Sequence, residues 1–131
     1  MQVEHVPSPP LQAGEVRVQI EAALTCGTDL KVFKRGYHAK MLIPPTRFGH
    51  EFSGAIAEVA PEVSGWRVGD RVAVANSAPC GQCFYCHQRQ ENLCDAPQFT
   101  GCTRDGGFAT HIVADASFCV PLDHLALDDA S

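Results

Sequence analysis

Polar and apolar residues alternate most clearly near the start of the chain. Across Glu15–Ala22 the sequence EVRVQIEA has an apolar side chain at every second position, which predicts a strand with one buried face. The next segment, Cys26–Phe33, has Thr28 and Asp29 near its start, and these residue types often begin helices. The sequence therefore predicts a strand and then a short helical turn that ends at Gly36.

Four further extended segments are predicted from short apolar runs beside turn residues: Phe48–Val59, Gly69–Val74, Phe108–Val113 and Phe118–Val120. The first contains Gly49 and Gly54, and glycines inside a strand often mark a bulge or a close approach of two backbones. Residues 75–106 show no useful periodicity, and Asp128 or Asp129 is placed to begin a helix. Many short strands and few helices predict a mainly β, barrel-like domain.

Composition narrows the class of protein. The chain has 131 residues, 45% hydrophobic and 19% charged, which fits one globular domain spanning residues 1–131. The formal net charge is −5 and the basic residues are scattered, so no nucleic-acid partner is expected. No apolar run approaches the roughly 20 residues that cross a bilayer, and no signal-peptide pattern is visible. We therefore expect a cytoplasmic protein without a membrane partner, whose seven cysteines bind metal or react rather than form disulfides.

The strongest local motif is a group of four cysteines in the spacing C-x2-C-x2-C-x7-C, formed by Cys80, Cys83, Cys86 and Cys94. Cysteines three apart can direct their sulfurs to one point when the chain curls, and Gly81 helps such a curl because it tolerates positive φ. Four thiolates with no open position are typical of a structural zinc site. The sequence predicts a structural zinc loop at residues 80–94.

Three other interpretations of the four-cysteine loop compete with zinc, and disulfides are disfavoured by the reducing compartment expected above. Unrelated buried cysteines rarely cluster this closely, so the main alternative is an iron–sulfur cluster. Bacterial ferredoxins also use C-x2-C-x2-C, but their fourth cysteine follows three residues later and precedes a proline. Here Cys94 follows seven residues after Cys86 and precedes Asp95, which favours zinc.

A second group of candidate ligands is split between two distant segments. Cys26 begins the sequence CGTD, and His50 and Glu51 follow Gly49 in the sequence GHE. Each segment alone is a weak signal, since a lone cysteine or histidine is usually structural. If the segments meet, they supply a thiolate, an imidazole and a carboxylate, the three-ligand set of a catalytic zinc with one open position.

The ordered motifs resemble a known enzyme family. The matching segments are CGTD from Cys26, GHEFSG from Gly49, GDRV from Gly69, the four cysteines with Asn92-Leu93, and GGFA from Gly106. Together they resemble the zinc-dependent medium-chain dehydrogenases/reductases, which include alcohol, sorbitol and threonine dehydrogenases. The resemblance runs from about Gly14 to about Val120. It implies a GroES-like β-barrel catalytic domain.

The resemblance also implies roles for particular residues. Cys26 and His50 would bind a catalytic zinc, and Glu51 would ligate it or lie beside it. Neighbouring residues on a regular strand face opposite ways, so His50 and Glu51 can both be ligands only if the backbone is distorted. Thr28 would hydrogen-bond the substrate oxygen and pass on its proton, and Asp29 would orient the histidine.

The activity implied by the resemblance is NAD(P)-dependent oxidation of an alcohol or polyol to a carbonyl, with zinc as the Lewis acid. Two zinc ions per chain are expected, one catalytic and one structural, and family members commonly form homo-oligomers. None of the eleven glycines forms a G-x-G pair, so a nucleotide-binding Rossmann domain is not expected within these residues. We therefore expect the chain to be truncated and inactive alone.

An alternative function and the roles of several residues are left to consider. A non-catalytic, zinc-stabilised structural or interaction module is the alternative function. Cys119 is expected in the core, and Cys102 is expected to be a bystander near the four-cysteine loop. Trp66 is expected to pack against the barrel. Core packing is the default expectation for Phe33, Phe48 and Phe52, and lining an active-site cleft is the alternative.

Overall fold

The computed structural model describes residues 2–36, 45–123 and 125. Its strands, in chain order, are β1 Glu15–Ala23, β2 Phe52–Val59, β3 Arg71–Val74, β4 Ser77–Ala78, β5 Gln98–Phe99, β6 His111–Asp115 and β7 Cys119–Pro121. Its helices are α1 Gly27–Arg35 and α2 Phe84–His87, with 3₁₀ turns at Glu91–Leu93 and Ala116–Phe118. The helix predicted to begin at Asp128 or Asp129 lies outside the described residues.

One five-stranded antiparallel sheet, in the order β6-β1-β2-β3-β7, forms the body of the domain. The two edge strands of this sheet are consecutive in sequence, joined only by the turn Ala116–Phe118. The Ala116 N–H donates to the Gly14 carbonyl over 2.9 Å, and the Ala75 N–H donates to the Phe118 carbonyl over 2.8 Å. Because so short a link joins opposite edges, the sheet must curl round on itself. The mainly β, barrel-like domain predicted from the sequence is therefore confirmed.

Alternating side chains of these strands fill the interior. Val16 and Val18 of β1 are fully buried, as the alternation in the sequence predicts. The core cluster as a whole comprises Val16, Val18, Phe52, Ile56, Val72, Val74, Ala78, Ile112, Ala114, Phe118 and Cys119. Trp66 packs against this cluster, and Cys119 is a member of it, so both expectations are confirmed. Phe33, in contrast, is 63% exposed, so the core expectation for that residue is wrong.

Several strand starts differ from the predicted ones. β2 begins at Phe52 rather than Phe48, because Gly49 has a φ of 96° and turns the chain before the ladder begins. β6 begins at His111 rather than at Phe108. The apolar run near Phe118 forms a 3₁₀ turn first and β7 afterwards, because burial of Phe118 does not require an extended backbone.

Residues 75–106, predicted to be irregular, contain one small ribbon. β4 and β5 pair in antiparallel fashion, with Ser77 opposite Phe99 and Ala78 opposite Gln98. This ribbon connects the barrel to the segment that bears the four cysteines. Among the described residues, no helix is long and apolar enough to span a membrane.

Helix α1 follows β1 closely and is capped at both ends. The Cys26 sulfur accepts a hydrogen bond from the Thr28 N–H over 3.2 Å, and the Asp29 carboxylate accepts one from the Cys26 N–H over 2.9 Å. These reciprocal bonds form a capping box. Gly36 ends the helix with a φ of 78°, as predicted, and its N–H donates to the Val32 carbonyl. The last helical residue is Arg35, directly before Gly36.

Candidate metal centres

The four cysteines of the 80–94 loop converge on one point. Their sulfurs all lie within 4.8 Å of one another, and all four side chains are half-buried. The shortest separation, between Cys83 and Cys86, is 3.4 Å, and the Cys80–Cys86 and Cys83–Cys94 pairs are each 4.0 Å apart. The short helix α2 and the 3₁₀ turn at Glu91–Leu93 bring the later cysteines back to the first one. All four are free thiols.

These separations fit a single ion held by four sulfurs. A zinc ion with four thiolates at about 2.3 Å places its sulfurs about 3.8 Å apart. A disulfide would require about 2.05 Å between sulfurs, which none of these pairs approaches. An iron–sulfur cluster distributes its cysteines over more than one iron, which spreads the sulfurs further apart. The loop geometry therefore fits a closed, one-ion site better than either alternative.

Local hydrogen bonds and burial place negative charge unevenly in this cluster. A backbone hydrogen bond from Asp95 lowers the pKa of Cys83 to about 6. Burial raises the pKa of Cys86 to about 12, and the hydrogen bond with Cys83 acts in the same direction. A backbone hydrogen bond from Gln82 lowers the pKa of Cys80. The pKa of Cys83 is therefore well below that of Cys86, so Cys83 loses its proton more readily.

The second cluster brings together residues that are distant in the sequence. The ligand atoms of Cys26, His50 and Glu51 lie within 4.8 Å of one another, and all three residues are half-buried. The Cys26 sulfur and His50 Nε2 are 3.2 Å apart. A tetrahedral zinc bound by both atoms would hold them about 3.6 Å apart, so only a few tenths of an ångström separate this geometry from a ligated one. The structure therefore brings together the three residues that the sequence analysis proposed as catalytic ligands.

Asp29 lies behind the histidine of this cluster. Its Oδ1 is 3.3 Å from His50 Nδ1, while the opposite ring nitrogen faces Cys26. The carboxylate is 5% exposed, and Oδ1 makes no well-aligned hydrogen bond within the described residues. A carboxylate that accepts from one ring nitrogen while the other faces the metal is the usual arrangement around a ligating histidine. Asp29 also lies in the first turn of α1, where the helix dipole favours negative charge.

Glu51 and His50 can face one site because neither belongs to a strand. The segment before β2 is irregular, and Gly49 at a φ of 96° turns it immediately before the ligands. The Leu24 N–H donates to the Glu51 carbonyl over 3.0 Å, which ties this segment to the end of β1. The distortion that the sequence analysis required for both ligands is therefore present.

Thr28 lies on the first turn of α1 and is exposed. Its backbone N–H is bonded to the Cys26 sulfur, which fixes the residue beside the cluster. An exposed hydroxyl next to a metal site is accessible to a substrate and to solvent, as a proton-transfer group must be.

Cys102 is the half-buried thiol that the sequence predicts to be a bystander. It belongs to neither cluster among the described residues. Burial raises its pKa, and the negative charge of Asp29 raises it further. Cys102 therefore lies near Asp29, which contacts His50 of the second cluster. The adjacent Gly101 approaches Gly49, and this close contact between backbones is what carries the thiol there.

A β-barrel with one closed four-thiol cluster and one thiol–imidazole–carboxylate cluster defines the class of protein as a medium-chain dehydrogenase domain. Comparison with known proteins agrees, because residues 12–124 match the family described as Alcohol dehydrogenase GroES-like domain. The chain belongs to the zinc-dependent medium-chain dehydrogenase/reductase family.

The names of the relatives refer to different substrates. The chain is 37% identical over 125 residues to L-threonine 3-dehydrogenase of Marinomonas sp. (strain MWYL1), covering 95% of this chain and 37% of that protein. It is 38% identical over 133 residues to an alcohol dehydrogenase of Geobacillus stearothermophilus, covering 100% of this chain and 39% of that protein. The chain thus spans little more than a third of the length of these relatives.

Solved structures agree with the fold. Galactitol-1-phosphate dehydrogenase from Escherichia coli superposes with a TM-score of 0.87 at 35% identity, covering 98% of this chain and 37% of that one. The cobalt and zinc bound alcohol dehydrogenase from Pyrobaculum aerophilum superposes with a TM-score of 0.82 at 28% identity, covering 95% and 38%.

Proposed function

We propose that this chain is the zinc-binding catalytic domain of an oxidoreductase that interconverts an alcohol or polyol and a carbonyl compound with NAD(P). The observation that carries the proposal is the convergence of Cys26, His50 and Glu51, with Asp29 3.3 Å from the far ring nitrogen of the histidine. A purely structural module would need the four-cysteine loop but not this second set of ligands. The relatives' names include threonine, alcohol and galactitol 1-phosphate dehydrogenases, so the substrate class is left as alcohols.

The donor set suits a zinc ion at each centre. Cys26 and His50 would hold the catalytic ion, with Glu51 as a third ligand or as a neighbour that exchanges with water. Residues 80–94 would form a structural zinc loop within the single domain 1–131. When bound at the catalytic centre, zinc supplies Lewis-acid polarisation of the substrate oxygen.

The chain's own residues would perform the remaining steps. The Thr28 hydroxyl would accept the proton of the alcohol and pass it to solvent, because its residue is both exposed and adjacent to Cys26. The Asp29 carboxylate would hold the proton on His50 Nδ1, so that Nε2 keeps its lone pair for the metal. Hydride transfer itself belongs to the nicotinamide.

The nicotinamide dinucleotide is not expected to bind to these residues through a glycine fingerprint, because the sequence contains no G-x-G pair. We therefore expect no turnover from these 131 residues alone. Homo-oligomer formation and a cytoplasmic location also stay predictions.

Metal content per chain tests the proposed function. Protein purified without added metal and reconstituted with zinc should bind close to two zinc ions, and the Cys26→Ser/His50→Ala double variant should bind one. The Cys102→Ser variant is the matched control and should still bind two. One zinc in the unaltered protein, lost only when the four-cysteine loop is mutated, would favour the structural module. Iron with acid-labile sulfide would contradict the assignment.

A further inference from the structure

The segment that carries His50 is held from one side by a second loop. The carbonyls of Arg47, Phe48 and Gly49 each accept a backbone hydrogen bond, over 3.0, 2.8 and 2.9 Å respectively. The donors are the consecutive amides of Gly106, Phe108 and Gly107. These bonds lie outside the named strands, so the barrel ladder does not account for them. Three consecutive carbonyls directly before a candidate metal ligand are therefore all satisfied by the segment 105–108, here called the clamp.

Glycine makes this contact possible. A methyl group added at Gly106 would overlap with the carbonyl of Phe48, and one added at Gly107 would overlap with the Phe52 ring. A methyl group at Gly49 would come within 2.7 Å of Phe108. The two backbones thus approach more closely than any other residue type allows. The sequence motif GGFA, which neither metal centre uses, has a physical requirement at its first two positions.

Side chains fix the register of the clamp. The Arg47 guanidinium forms an ion pair with the Asp105 carboxylate over 2.8 Å. The rings of Phe48 and Phe108 meet edge to face with centroids 5.9 Å apart. An ion pair at one end and an aromatic pair at the other disfavour a one-residue slip, which would move His50 away from Cys26.

We propose that the clamp, residues 105–108, positions His50 and Glu51 for metal binding. The proposal rests on the proposed function, since it assumes that the second cluster binds zinc. No clamp residue belongs to either ligand set among the described residues. The clamp holds the backbone of residues 47–49, directly before His50. Three hydrogen bonds and the close glycine contact restrict this segment to one conformation. A preorganised ligand set binds metal more tightly than one that must be ordered on binding.

The Gly106→Ala variant tests the proposal most directly. The two zinc affinities are measured separately by competition with a chromophoric chelator. In the Cys26→Ser/His50→Ala protein only the four-cysteine loop binds zinc, so this variant identifies which phase of the titration belongs to that loop. We expect zinc affinity at the Cys26–His50 site to fall by about tenfold or more, the usual effect of disturbing groups around metal ligands. The affinity of the four-cysteine loop should stay unchanged. Cobalt substitution should show the same selectivity as an altered spectrum at the Cys26–His50 site only.

Two further variants keep the test decisive. Gly14→Ala is the control for general destabilisation, because Gly14 has a φ of 82° that strains an alanine, while no atom lies within 4 Å of the added methyl group. Phe108→Ala is the second variant, in case Gly106→Ala fails to fold. Phe108 is 37% exposed, and its replacement removes the aromatic contact with Phe48. Zinc affinity at the Cys26–His50 site should then fall about threefold. Phe108→Leu should recover part of that loss.

The possible outcomes separate the clamp from the proposed function. Unchanged affinity at the Cys26–His50 site in both clamp variants would overturn the clamp alone. An equal loss at both metal sites, matching Gly14→Ala, would also overturn it, because the effect would then be general destabilisation. Absence of a second zinc in the unaltered protein would overturn the proposed function and the clamp with it.

Discussion

The two candidate metal centres are built in opposite ways. The four-cysteine loop draws all its ligands from residues 80–94, whereas Cys26 and His50 are 24 residues apart, one at the start of α1 and the other in the irregular segment before β2. Among the described residues, the core cluster includes no side chain from 80–94. A bound metal would therefore stabilise the conformation of that loop, whereas the barrel domain positions the ligands of the second centre. From this difference we predict that the four-cysteine loop folds with its ion and that the Cys26–His50 site is preorganised by the fold.

The largest effect is expected when a ligand of the local site is removed. Cys86→Ser removes one of four metal bonds and should weaken zinc binding in the loop on the order of a hundredfold or more. Because the loop has no core of its own, its amides should lose protection in hydrogen-exchange measurements. The β1–β2 amides should remain protected, since the barrel core does not depend on the loop. Protection lost equally in loop and barrel would show that the two regions fold as one.

Cys102→Ser is the control for that variant. It also replaces one half-buried thiol, but outside both ligand sets of the described residues. Loop protection and zinc content should stay as in the unaltered protein.

Acid should affect the four-cysteine loop strongly. The pKa of Cys86 is raised to about 12 by burial, so this thiol is protonated throughout the neutral range without metal. Zinc binding must release that proton, and protons therefore compete with the metal. The affinity should fall by about tenfold for each pH unit that the pH is lowered below 8, from this thiol alone. Chelator competition at pH 8, 7 and 6 measures it. A flat profile would contradict the protonated state of Cys86.

The sequence allowed the local features to be predicted more fully than the non-local ones. The alternation in Glu15–Ala22 identified β1, and the spacing of the four cysteines identified their convergence, because both depend only on neighbouring residues. Gly54 was recognised as a close approach, and a methyl group there would overlap with the Gln19 carbonyl. The position of Gly36 correctly predicted the end of α1.

Features that depend on tertiary contact were missed. The pairing of β4 with β5 carries no periodic signal, since each strand has two residues. The true start of β2 depends on contacts between the segment before it and the clamp, which is more than fifty residues away in sequence. The meeting of Cys26 with His50 came from family resemblance, because no local pattern places a loop histidine beside a helix cap. The position of Cys102 near Asp29 has no local sequence signal either.

Replacement of Asp29, which lies behind His50, should have a moderate effect on zinc affinity at the Cys26–His50 site only. Asp29→Asn keeps the shape of the side chain but removes the charge next to His50 Nδ1. Zinc affinity at the Cys26–His50 site should fall by about tenfold or more, while the four-cysteine loop keeps its affinity. The variant should lose only about 1 kcal/mol of stability, because an asparagine oxygen can still accept from the Cys26 N–H. Equal zinc affinity in variant and parent would remove Asp29 from its proposed positioning role.

The smallest effect is expected at Thr28, and it tests whether the second centre is more than a metal site. The residue is exposed and its recorded bond to Cys26 uses the backbone N–H, so Thr28→Val should change stability by less than about 0.5 kcal/mol. Zinc content should stay at two. That result would exclude a structural role for the hydroxyl and leave its proposed role as proton acceptor standing, with Thr28→Ser as the variant that keeps the hydroxyl. Loss of zinc or of stability in Thr28→Val, measured by elemental analysis and thermal unfolding, would instead make the side chain structural and leave the centre without its proposed proton acceptor.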